Sequence, residues 1–214
     1  LISQFFFENE IATFFGQIVE TPYIVLLLLI AVLPAITEEI TIRGIVLSGY
    51  KNKNIYLSAI ITGLLFGIMH LDPQQFLYAT ALGFIFAIVV RITNSIFSAS
   101  LMHFLINGTS VTLQKIISVV PQNDNVIEQA TEISLKSMPL IMKIYTGVFY
   151  GGIAIAFGIV AFIILRKLAN MNIRRGIITR EDISIKPSGE KENIFNIQFV
   201  VIIIIYLLYM IIAL

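Results

Sequence analysis

The stretch PYIVLLLLIAVLPAITEEITIRGIVLSGY, residues 22–50, decides the fold. It is apolar over more than the about 20 residues that an α-helix needs to cross a bilayer. Yet it carries Glu38, Glu39 and Arg43 in its second half. Each ionisable side chain near mid-span costs about 2.5–3.5 kcal/mol on insertion scales, so three together cost roughly 8 kcal/mol unless paired or hydrated. Ionisable groups kept inside a membrane helix mark functional sites by default. Glu39 and Arg43 stand at i and i+4, in the favourable order for an ion pair on one helix face. Glu38 has no such local partner, and a watery cavity with a reaction in it is the reading that accounts for it.

The rest of the chain fits a membrane setting. Of its 214 residues, 57% are hydrophobic and 13% charged, against about 25% charged in an average soluble protein. Mean hydropathy is +0.92. That composition excludes a soluble globular domain, a disordered chain and a nucleic-acid binder. The bilayer itself is the first partner expected. Fourteen Lys and Arg against 13 Asp and Glu leave the total charge uninformative. The absence of Cys removes disulfides, thiol nucleophiles and Cys-bound metals. A start at Leu1 is expected of a piece of a longer protein, with helices upstream.

Six apolar stretches stand out, at 22–50, 55–70, 75–90, 95–118, 140–165 and 197–214. The fold class expected is all-α, a polytopic transmembrane helix bundle with a buried mid-membrane polar site. Residues 1–21 read as an interfacial or truncated segment and 22–118 as a four-span core. Residues 119–139 read as an extracytoplasmic loop, and 140–214 as two further spans joined by a basic cytoplasmic loop at 166–196. Lys51, Lys53, Arg91, Arg166, Lys167, Arg174, Arg175, Arg180, Lys186 and Lys191 all fall in alternate connections. Those connections are expected on the cytoplasmic side. An Ile-, Asn- and Lys-rich chain suggests a low-GC bacterium and its cytoplasmic membrane.

The two histidines, His70 and His103, sit in apolar surroundings. Phe66 precedes His70 by four residues and Asn107 follows His103 by four, so each pair shares a helix face. Counting from the cytoplasmic ends at 1.5 Å per residue puts Glu38 and Asn107 roughly 18 Å deep, Glu39 roughly 16 Å, His103 roughly 12 Å and His70 roughly 23 Å. All lie in the middle slab of a core about 30 Å thick, as one reaction centre requires. Gly63 and Gly67, like Gly147 and Gly151, are spaced for close helix packing. Pro34 is expected to kink the first span.

Glu, two His and Asn in a buried pocket suit hydrolysis without a covalent nucleophile. A buried Glu can act as general base on water, and imidazole and amide groups can donate to a developing oxyanion. No HExxH or GxSxG occurs, and the three Asp (Asp72, Asp124, Asp182) fall outside the spans. Zinc held by two His and one Glu stays open geometrically, although no metal or other cofactor is expected.

Glu38-Glu39-x-x-x-Arg43, Phe66-x-x-x-His70 and His103-x-x-x-Asn107 resemble the three motifs of the CPBP family, the CAAX proteases and bacteriocin-processing enzymes. The resemblance covers about residues 30–110. It implies a glutamate-dependent intramembrane endopeptidase acting on a peptide or membrane-protein substrate. By that analogy Glu38 and His70 activate water, and His103 and Asn107 form the oxyanion site. Glu39 and Arg43 brace the first helix, and Phe66 walls the pocket. Two other classes stay open: a membrane scaffold or bacteriocin self-immunity protein of the same family, and a transporter.

Overall fold

The computed structural model describes residues 20–119, 139–183 and 197–213, and every regular element in them is helical. Helix α1 spans Tyr23–Gly49, α2 Ile55–Met69, α3 Pro73–Thr93, α4 Ile96–Val119, α5 Leu140–Arg174 and α6 Ile197–Ala213. This is the all-α membrane bundle that the hydropathy predicts. Four helices are long and apolar enough to cross a membrane, namely α1, Gln75–Thr93 within α3, α4 and α5. The apolar helices Ile55–Met69 and Phe199–Tyr209 are shorter. At 15 residues, α2 is about 22 Å long. A hydrocarbon core is about 30 Å thick, so α2, which His70 caps, is shorter than a full span. The expected segment 1–21 lies outside the described residues up to position 19. So do the expected loop at 119–139, apart from its end residues, and residues 184–196 of the expected basic loop.

Helix α1 departs from the simple kink expected at Pro34. Leu27–Val32 and Ile40–Val46 are π-helical, and the α-helical Leu33–Glu39 between them has Pro34 in its first turn. Proline has no N–H to offer the carbonyl four residues earlier, and its ring crowds that oxygen. A wider turn before it relieves the crowding, and such turns recur at functional sites. The two wide turns therefore bracket the segment that carries Glu38 and Glu39.

Helices α2 and α3 form the tightest pair. A Cβ on Gly63 would lie 2.9 Å from both the Thr80 carbonyl oxygen and the Phe84 nitrogen. A Cβ on Gly67 would collide with the Thr80 hydroxyl and lie 2.8 Å from the Phe76 carbonyl oxygen. The first small-residue pair thus lets two backbones touch, as its spacing predicts. The pair on α5 does not: nothing lies within 4 Å of a Cβ at Gly147 or Gly151.

One end of the bundle is sewn together by polar contacts. Arg91 donates from Nη1 to the Tyr50 carbonyl at 3.1 Å, and from Nη2 to the carbonyls of Lys53 and Asp182 at 3.4 Å each. Asn54 caps α2, its Oδ1 accepting from the amides of Tyr56 (2.8 Å) and Leu57 (3.2 Å). Beside these, Leu47, Ile55, Ala59, Ala87, Ile88, Ile92, Ala169 and Ile178 form the largest apolar cluster.

The fifth span runs nine residues beyond the expected end at 165, to Arg174. Arg166, Lys167 and Arg174 therefore lie on the helix rather than in a loop, where cations favour its carboxyl end. The extension docks on the bundle: Asn172 Nδ2 donates to the Ile92 carbonyl at 2.8 Å. It ends in a Schellman turn, with Gly176 at φ +70°, its amide on the Ile173 carbonyl and the Ile177 amide on the Asn172 carbonyl. Just beyond, the Thr179 amide and hydroxyl donate to Asp182 at 2.7 and 2.8 Å and hold its carboxyl below the usual carboxylate range.

Gly63→Ala should force α2 and α3 apart and cost about 1–3 kcal/mol, as overpacking does. Thermal unfolding in detergent should show a clearly lower midpoint for Gly63→Ala and an unchanged one for Gly147→Ala. Equal midpoints would contradict the packing described.

Candidate active site

Three helices deliver the motif residues to one place. Glu38 and Glu39 lie at the end of the α-helical segment of α1, and Arg43 lies in the second wide turn. His70 caps α2, and His103 and Asn107 lie on successive turns of α4. Glu38, Phe66, His70, His103 and Asn107 all line one cavity of about 620 Å³. Sequence positions nearly 70 apart are thus brought together.

Behind the cavity lies a fully buried charge cluster. Glu39 is 0% exposed and Arg43 2%. Glu39 Oε1 accepts from Arg43 Nη1 at 3.1 Å and pairs with His103 Nδ1 at 2.9 Å. Arg43 Nη2 donates to the Gly83 carbonyl at 3.1 Å, and the guanidinium lies over Phe66 (4.4 Å) and Phe86 (5.3 Å). The expected i, i+4 pair is present. The contact from Glu39 to His103 was not legible in the spacing, and it links α1 to α4.

These contacts fix the imidazoles. A carbonyl only accepts, so the 2.7 Å contact between His70 Nδ1 and the Phe66 carbonyl places the proton on Nδ1 and leaves Nε2 as the basic nitrogen. A carboxylate also only accepts, so His103 Nδ1 donates to Glu39. Its Nε2 stands 4.0 Å from Glu38 Oε2. Phe66 meets His103 edge-on at 5.8 Å between centroids, and Phe86 meets it at 5.6 Å. Glu38 is the partly open member of the cluster, with its side chain 25% exposed.

Asn107 is tied to the proline. Its Nδ2 donates to the Ile30 carbonyl at 3.0 Å, the oxygen to which residue 34 of a regular helix would donate. Asn107 thus reaches the backbone of the wide turn just before Pro34 and also lines the cavity. Asp72, Gln75, Tyr78, Ser110 and Tyr209 also line the cavity and were not singled out from the sequence. A tyrosine hydroxyl inside the apolar span 197–214 is a sequence signal, but it marks Tyr206 and Tyr209 alike, and only packing selects Tyr209. Among the described residues, no three His, Asp or Glu side chains group as a metal-ligand set.

The comparisons with known proteins agree with the motifs. Residues 20–109 match the model of the Rce1-like family, type II CAAX prenyl endopeptidase Rce1-like. The chain is also 31% identical over 101 residues to a Bacillus subtilis (strain 168) protein described as "Putative membrane peptidase YdiL". That match covers 47% of this chain and 40% of the relative, so the chain spans well under half of the relative's length. No solved structure matches. The comparisons bear out the resemblance read from the three motifs: residues 20–109 are similar to a membrane-peptidase family, in a chain whose apolar helices are those of an integral membrane protein.

Removing one member of the buried cluster should be costly, because it strands a charge. Arg43→Gln should destabilise by about 3–5 kcal/mol, whereas adding Glu39→Gln should restore part of that loss. Unfolding midpoints of the two variants in detergent test this, and strictly additive losses would contradict the pairing.

Proposed function

We propose that this protein is an intramembrane endopeptidase of the bacterial cytoplasmic membrane that hydrolyses a peptide bond with activated water. The observation that carries the reading is the gathering of Glu38, His70, His103 and Asn107 around one cavity among the apolar helices. Glu38 is the partly open carboxylate, suited to take a proton from water. His70 keeps Nε2 as the basic nitrogen and shares that proton. Asn107 donates its second amide proton to the oxyanion, and His103 donates from Nε2 when its ring carries both protons. Glu39 and Arg43 stand behind and hold the ring of His103. No step of this reading requires a metal.

In a scaffold or immunity protein these side chains have no work to do, and keeping them in lipid costs stability. Glu38→Gln separates the two readings. The variant should keep the unfolding midpoint of the wild type within about 0.5 kcal/mol. Its turnover of a peptide library, read by mass spectrometry on purified protein, should fall at least about 100-fold, the usual contribution of a general base. Wild-type turnover in Glu38→Gln would sink the mechanism. Loss of wild-type activity with a zinc chelator, recovered with zinc, would replace it with a metal-dependent one.

A further inference from the structure

We propose that the catalytic cavity opens to the extracytoplasmic side, so that its substrates are exported peptides or the outer segments of membrane proteins, not cytoplasmic chains. The inference rests on the hydrolase reading for its substrate class, but its geometry is independent of that reading.

The charges are gathered at one end. Arg91 joins the α1–α2 connection to the segment after α5. Lys51, Lys53, Arg91, Arg166, Lys167, Arg174, Arg175 and Arg180 thus belong to the same end of the bundle. Among the described residues, the other end holds only Lys115 and Lys143 as cations, on the last turns of α4 and the first turn of α5. Membrane helices keep their basic ends in the cytoplasm.

The cavity extends the other way. From Glu38 it follows α1 backward to Pro34 and Ile30, and from His103 it follows α4 forward to Asn107 and Ser110. Both directions lead away from the basic end. The α2–α3 turn at Leu71 and Asp72, also opposite the basic end, completes the lining. Toward the basic end, the buried Glu39 and Arg43 form a floor, with the guanidinium set against Phe66 and Phe86. A separate cleft of about 460 Å³ opens at the basic end and is lined by Arg43, Arg91 and Asp182. It includes none of Glu38, His70, His103 or Asn107.

The absence of Cys makes the test direct. Leu71 is 51% exposed at the cavity mouth, and Lys51 is exposed at the basic end. Single variants Leu71→Cys and Lys51→Cys are expressed in bacteria and treated with a membrane-impermeant maleimide. Leu71→Cys should be labelled in intact cells and Lys51→Cys only after permeabilisation. Labelling of Lys51→Cys in intact cells, or of Leu71→Cys only after permeabilisation, would overturn the proposal. The same labelling in a Glu38→Gln background should be unchanged, so failure of the hydrolase reading would leave this result standing.

Discussion

A single carboxylate oxygen, Oε1 of Glu39, takes hydrogen bonds from Arg43 and His103 inside apolar surroundings. In a medium of low dielectric an unpaired charge is so costly that the three groups must be placed together or not at all. That requirement fixes the rotation of α1 and its contact with α4. Arg43 then reaches the Gly83 carbonyl on α3, and the α2–α3 glycine contacts bring Phe66 and His70 alongside. The cluster therefore ties together α1, α2, α3 and α4 around the cavity, although Glu39 and Arg43 themselves stay beneath it.

A second constraint comes from the backbone. Pro34 removes a helix donor in a region where water is scarce, and a carbonyl left without a partner there costs free energy. Asn107 donates across the helix interface to the Ile30 carbonyl, four residues before that proline. The same residue lines the cavity, so it links the irregular turn of α1 to the candidate oxyanion site. Wide turns lie on either side of Leu33–Glu39, the segment that carries Glu38 and Glu39.

Much of this was legible in the sequence. The spans follow from dense apolar runs, and the three motif pairs follow from i, i+4 spacing, because each acts within one helix. What was missed depends on relations between helices. Spacing pairs Glu39 with Arg43, but which of two adjacent glutamates meets His103 depends on helix phase, which shifts about 100° per residue. Basic residues at 166–174 read as a loop, yet they form the last turns of a helix held by Asn172 and closed by Gly176. The wide turns of α1 are a hydrogen-bond register that composition does not encode. Gln75 and Tyr209 join the cavity through packing alone.

The most direct test of the account compares the N-termini present in membranes of a bacterial host expressing the wild type or Glu38→Gln at matched levels. Hydrolysis at this cavity predicts a set of new N-termini seen only with the wild type. Identical sets from the two strains would contradict it.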